Sequence, residues 1–171
     1  VRFLTIVRHA KSKQADPGES DYDRRLNSRG RRECEQLRAW AKDSKALGRF
    51  GPATALVSSS TRTRETFERA FEGTAFVADV QFSDLIYNGQ RDVSAEDIMI
   101  ELTRIDPVTS SLLVVAHNPT VYELVSSLAT ELPESLRDYR YPLGGAYVLA
   151  LPGDNPIGMD RYELVASFVP D

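Results

Sequence analysis

Two short apolar runs in this chain end on the same residue type: "FLTIVRH", closing at His9, and "LLVVAH", closing at His117. A continuous apolar run of this kind reads as a strand buried on both faces of a parallel sheet. Such sheets present their reactive groups just past the carboxyl ends of their strands. His9 and His117 are the only histidines, and both stand at that place.

The rest of the chain alternates as such a sheet requires. After "FLTIV", a polar loop rich in turn formers, "DPGESDYDRRLNSRG", leads to a helix from about Gly30 to Leu47. Leu37, Trp40, Ala41 and Leu47 form its apolar stripe, and Gly48 is its expected stop. "ATALVSS" is a second strand, feeding a helix in "STRTRETFERAFEG" where Phe67, Ala70 and Phe71 keep helical spacing. "AFVADVQF" reads as a third strand, followed by a loop through Asn88 and Gly89. A helix over "SAEDIMIELTRID" then opens on a Ser94 cap, with Asp97 at its third position, and ends at Pro107. Behind His117, "PTVYELVSSLATEL" is a helix with Asn118 as cap and Pro119 at its first position. "GAYVLAL" and "RYELVASFV" close the sheet as an antiparallel pair. The expected fold is α/β, a three-layer sandwich with a mostly parallel central sheet flanked by helices. With 171 residues and neither repeat nor linker, one domain over residues 1–171 is expected.

Charge and cysteine usage narrow the partners. A net charge of -4 argues against a protein-wide nucleic-acid footprint, so any anion site must be local. The basic residues between Arg24 and Arg38 alternate with Glu33 and Glu35 and read as a solvated helix face. Cys34 is alone, which rules out an intramolecular disulfide and a cysteine-based metal cluster, and a reducing cytoplasm is the expected compartment. No apolar run approaches the roughly 18 residues that span a bilayer, and the first residues read as a strand, not a signal peptide.

A third strand end, after "ALVSS", carries Arg62, so Arg8, His9, Arg62 and His117 can converge on one cleft. Two guanidiniums beside helix-start amides suit a tetrahedral dianion, because Arg matches phosphate oxygens bidentately. Each residue also has a simpler reading. Arg8 and His9 would fit a surface turn, Arg62 a salt bridge with Glu65 or Glu68, and His117 a core histidine satisfied by backbone.

The segments together resemble the histidine phosphatase superfamily, especially its small, lidless branch of SixA-type phosphohistidine phosphatases. "VRHAKS" is similar to that family's Arg-His-Gly signature, "SSSTRTRET" to its Ser-Ser-x-x-x-Arg-Ala-x-x-Thr segment, "VVAHNPTV" to the segment with the second histidine, and "DYDRRLNSRG" to the loop-to-helix entry of the small branch. They occur in the family's order from residue 2 to about residue 125. The resemblance implies a phosphoglycerate mutase-like fold and a metal-independent phosphatase without cofactor. His9 would be the nucleophile that becomes phosphohistidine, with Arg8, Arg62 and His117 on the equatorial oxygens. His9 would then be neutral and His117 protonated. Lys11, Ser12 and Asn118 would add phosphate contacts, and Arg24 could close over the site.

Two positions depart from the pattern: Ala10 replaces the glycine after the nucleophile, and Thr63 the alanine after the second arginine. Asp84 in "FSDLIYNG" best matches the family's general acid by position, though a cap would explain it too; Asp23 and Glu19 are weaker candidates. A phosphoramidate asks less of such an acid than an alkyl ester does. Phosphohistidine in a protein is therefore the expected substrate, with a small phosphate ester on the same core, or a non-catalytic phosphate-binding module, as alternatives. Neither nucleic acid nor membrane is expected as a partner, and a monomer is compatible with the sequence.

Overall fold

The computed structural model describes residues 2–89, 91–105, 111–153 and 155–171. Six strands form one sheet: β1 (Arg2–Arg8), β2 (Ala53–Ser58), β3 (Val77–Ser83), β4 (Ser111–Ala116), β5 (Ala146–Leu151) and β6 (Glu163–Phe168). Their order across the sheet is β3-β2-β4-β1-β5-β6. The first four run parallel, and β5 pairs antiparallel with both β1 and β6. The helices are α1 (Ser28–Lys42), α2 (Thr61–Ala70), α3 (Ala95–Ile105) and α4 (Thr120–Leu128).

The strands at the centre are mostly apolar because both faces are covered. Leu4, Ile6, Leu56, Leu112 and Val114 pack with Ile98, Leu102, Val121 and Leu124 of α3 and α4. Val7, Ala55, Val57, Leu113 and Val115 pack on the other face with Leu37, Ala41, Phe67 and Phe71 of α1 and α2. The strand period of two sends successive residues to opposite faces, which makes three layers. The fold is the α/β three-layer sandwich with a mostly parallel central sheet expected from the sequence.

Four helix boundaries, both ends of α1 and of α4, differ from the sequence reading. Asn27, whose Oδ1 accepts the Gly30 N–H at 2.9 Å, caps α1, so the helix begins at Ser28 and not Gly30. It ends at Lys42: Asp43 is extended, and its carbonyl accepts the N–H groups of Ala46 and Gly48. Leu47 buries itself from a separate 3-10 turn, Leu47–Phe50. Helix α4 starts at Thr120 and stops at Leu128, with Pro119 and not Asn118 at its cap position. The Ser94 cap of α3 is as expected, since Ser94 Oγ accepts the Asp97 N–H and the Asp97 carboxylate accepts the Ser94 N–H. The Pro107 stop lies outside the described residues.

One close approach in this frame bears on the site. A Cβ on Gly30 of α1 would stand 2.1 Å from the Lys11 carbonyl oxygen, so α1 and the loop after β1 touch backbone to backbone. The Asn27 N–H donates to that same carbonyl at 3.0 Å. Alanine usually stabilises a helix interior by about 1 kcal/mol over glycine. Gly30→Ala is expected to reverse that sign and destabilise the protein by about 1–3 kcal/mol in urea unfolding. A gain in stability would mean that the loop does not rest on α1.

Candidate active site

Register brings the strand ends together. Arg8 pairs with Ala116 across β1 and β4, and the His9 N–H donates to the Ala116 carbonyl at 3.1 Å. Val57 pairs with Val115 on the other side of β4, which brings Ser58 level with Ala116. The residues that follow therefore leave the sheet at one edge. Arg8, His9, Arg62 and His117 line one open cleft of about 450 Å³, and Lys11, Ser12, Arg24 and Asn118 line it with them. The His9 and His117 ring centroids are 5.4 Å apart.

The two histidines are held differently. His9 Nδ1 lies 2.7 Å from the Ala10 carbonyl oxygen, which can only accept, so Nδ1 carries the proton and Nε2 the lone pair. His117 Nε2 is 2.8 Å from Ser58 Oγ, and its Nδ1 is buried without a partner among the described residues. The bond from His117 is thus to a side chain and not to backbone. Burial, with Arg62, Arg8 and Arg24 adding to it against the Ala10 bond, pushes His9 down to about 3. Burial, then the neighbouring His9 and Arg62, pushes His117 down to about 2. In the protein's own field both rings are neutral, unlike the opposite protonation states expected from the sequence. A phosphate dianion would raise His117 by supplying the charge these guanidiniums lack.

Arg8 points its NH1 at the Tyr141 carbonyl, 2.6 Å away, and burial lowers its pKa. Arg62, on the first turn of α2, is buried and gives NH1 to the Asp21 carbonyl at 2.8 Å and NH2 to the Asp21 carboxylate at 3.0 Å. Neither Glu65 nor Glu68 is its partner: Glu65 pairs with Arg69 at 2.9 Å. Asp21 also accepts from the Tyr87 hydroxyl at 2.7 Å and from Arg24 Nε at 3.0 Å. Burial works against its ionisation, but Tyr87, Arg62 and Arg24 outweigh it and hold the carboxyl down to about 2. Arg24 further donates to Ser12 Oγ and to the Lys13 carbonyl, tying the loop over the cleft.

The acid candidates lie elsewhere. Asp84 is not part of this cleft: its carboxylate accepts the Ser59 hydroxyl, and it lines a neighbouring depression of about 680 Å³ with Tyr22, Tyr87 and Arg91. The two hollows share Asp21 and Gly89. Asp23 accepts from Ser20, and Glu19 pairs with Lys13; neither lines the cleft. Thr63, which stands where the family has alanine, is fully buried and donates to the Ser58 carbonyl at 2.6 Å. Asp21, Tyr87 and Asn88 are cleft or border residues that sequence reasoning missed. Asp21 stands three residues before Arg24, a spacing that could have signalled an ion pair, but its reach to Arg62 spans 41 residues.

Among the described residues, no three His, Cys, Asp or Glu side chains group to hold a metal ion, and no helix is long and apolar enough to cross a membrane.

Comparison with known proteins agrees with this geometry. No family model matches the chain. The uncharacterized protein Rv1276c of Mycobacterium tuberculosis is 30% identical over 155 residues, covering 86% of this chain and 88% of its own. Among solved structures, the SixA protein of Nakamurella multipartitia superposes with a TM-score of 0.78 at 24% identity, covering 99% of this chain and 96% of its own. The SixA protein of Agrobacterium tumefaciens gives 0.76 at 29% identity, with 99% and 98% covered. The protein histidine phosphatase SixA in complex with tungstate gives 0.74 at 20%, with 98% and 97% covered. The lower identities speak for the fold, and the 29% match extends nearly end to end. The chain is similar in fold, over nearly its whole length, to SixA-type phosphohistidine phosphatases of the histidine phosphatase superfamily.

Proposed function

We propose that residues 1–171 form one histidine phosphatase domain that needs no metal and removes phosphate from phosphohistidine in a protein. The observation that carries the reading is the convergence of Arg8, His9, Arg62 and His117 on one open cleft, with the lone pair of His9 on Nε2. In this mechanism Nε2 attacks phosphorus in line while the bond to the substrate's imidazole nitrogen breaks, and the leaving nitrogen takes up a proton. Water then attacks the phosphohistidine on His9, which departs as neutral imidazole, and inorganic phosphate leaves. Arg8, Arg62 and His117 hold the equatorial oxygens, with Asn118, Lys11 and Ser12 at the rim. Metal independence is supported by the donor set, in which guanidiniums stand where a metal would neutralise charge.

The substrate class is supported by shape and by the acids. The cleft is open, and the adjoining depression past Tyr87 leaves room for a leaving group carried on a polypeptide. Asp84 faces that depression, so a proton from Asp84 would serve only a leaving group lying there. Phosphohistidine depends less on such an acid than an alkyl ester does. That one of the SixA structures is a protein histidine phosphatase holding tungstate, a tetrahedral oxyanion, supports the same reading.

Phosphate release from a chemically phosphorylated histidine phosphocarrier protein, measured beside an aryl phosphate with chelator present, tests it. Wild type is expected to act on both and to prefer the protein. His9→Ala should fall by on the order of a thousandfold and trap no phosphoenzyme. Retained activity in His9→Ala, or loss of wild-type activity in chelator, would overturn the mechanism.

Protonation gives a second check. Both folded-state pKa values lie below the ordinary 6.5. By NMR, the His9 and His117 rings are expected to remain neutral down to about pH 5, where an exposed histidine is almost fully charged. The unfolded chain then binds more protons than the native one between about 3 and 6.5, so stability should decline as pH falls through that window. A ring titrating near 6.5 would contradict the shielding.

Asp21 gives a third. Its carboxylate lies on one of the Arg62 donors that a phosphate needs, so Asp21→Asn should lower the inhibition constant of inorganic phosphate by about three- to tenfold. Unchanged or weakened phosphate inhibition would show that the two do not compete.

A further inference from the structure

Glu33 has no part in the reaction as derived above, yet it is 1% exposed on the inner face of α1. The charge pattern reads it as part of a solvated face, and the structure places it inside. A buried carboxylate persists only with partners. Its Oε1 accepts the Lys11 backbone N–H at 2.8 Å, and its Oε2 lies 3.4 Å from Nε of the exposed Arg29.

The peptide it holds is the one that orients His9. The Ala10 carbonyl accepts the His9 Nδ1–H at 2.7 Å, and the N–H on the other side of that same Ala10–Lys11 peptide is the one bound by Glu33. Carboxylate, peptide and imidazole thus form one hydrogen-bonded line. Three further contacts fix the peptide in place: the Ala10 N–H to Thr66 Oγ1 at 3.0 Å, the Asn27 N–H to the Lys11 carbonyl at 3.0 Å, and the glycine-only approach of Gly30.

We infer that Glu33 is a positioning residue for His9, acting through the Ala10–Lys11 peptide to hold the ring in its Nδ1–H tautomer with Nε2 free. The carboxylate draws the amide proton, which pushes electron density along the conjugated peptide onto the Ala10 oxygen. That oxygen becomes a better acceptor for Nδ1–H. The rigid peptide plane also passes on orientation, so the imidazole is fixed without a carboxylate bonded to it directly. The inference rests on His9 as the nucleophile for its catalytic consequence, but the effect on the ring can be read without turnover.

The test pairs Glu33→Gln, which keeps an oxygen acceptor and removes the charge, with Glu33→Leu, which removes both. Carboxylates standing behind metal-bound histidines are worth roughly 10–100-fold, which sets the scale. Glu33→Gln is expected to stay folded, lose about tenfold in kcat with KM within about twofold, and shift the His9 ring ¹⁵N signals from the pure Nδ1–H pattern toward a tautomer mixture. Glu33→Leu, where it folds, should lose on the order of 100-fold. A Gln variant with wild-type ring signals overturns the inference, whether kcat is unchanged or reduced: a reduced kcat would then mark Glu33 as an anchor of the loop alone. If wild type forms no phosphoenzyme while the His9 signals still respond to Glu33→Gln, the positioning holds and the nucleophile reading fails instead.

Discussion

Arg8 faces Ala116 across the β1–β4 pair, and the chemistry at this edge of the sheet depends on that register. With the His9 N–H closed on the Ala116 carbonyl, the chain leaves both strands at the same level, and His9 and His117 end with ring centroids 5.4 Å apart. The register is enforced from both faces. Val7 and Val115 belong to the α1/α2 side of the core, Ile6 and Val114 to the α3/α4 side. A slip of one residue would exchange those sets and carry the site residues to the wrong faces. The core and the site are therefore specified by the same alternation.

Within that frame, burial and charge divide the work. His9 and His117 are shielded from solvent and surrounded by guanidiniums, which keeps both imidazoles neutral. Neutrality suits a nucleophile directly, and no base is required to deprotonate it. The same cations leave the cleft short of negative charge, and Asp21 supplies it from the loop over the site, bonded to Arg62, Arg24 and Tyr87. A phosphate would offer those donors more charge and a geometry matched to guanidinium. The loop carboxylate is then a partner that can be exchanged, and its half-exposed position allows it to withdraw into water.

Sequence reading reached the parts governed by local pattern. Strand ends carrying His9, Arg62 and His117 are visible because buried parallel strands are apolar runs with abrupt polar stops, and the Ser94 cap is visible because capping is a matter of three residues. The end of α1 was hidden because Leu47, past the break at Asp43, still lands on the core and so continues the apolar stripe. Glu33 was hidden by its charge, although it stands four residues before Leu37 and eight before Ala41, on the face that both of them bury. Periodicity carried the signal and residue type overrode it. The Arg62–Asp21–Tyr87 cluster was out of reach for a different reason: it joins residues 41 and 66 positions apart through side chains, and no local pattern encodes that.

The placement of Glu33 also answers why a carboxylate should act on His9 at one remove. A carboxylate bonded straight to Nδ1 would orient the ring, but it would also set a full negative charge beside a nucleophile that must meet a dianion. Coulomb repulsion falls with distance and is strongest where water is excluded. With the Ala10–Lys11 peptide between them, the charge lies on the α1 side of the loop, while Nδ1–H meets a neutral carbonyl. The peptide transmits polarisation and direction, and keeps the carboxylate one peptide unit away from the imidazole. The bare glycine at position 30 follows from the same requirement. Only without a Cβ can α1 approach the Lys11 carbonyl closely enough for its next inward residue, one turn later, to reach the Lys11 amide.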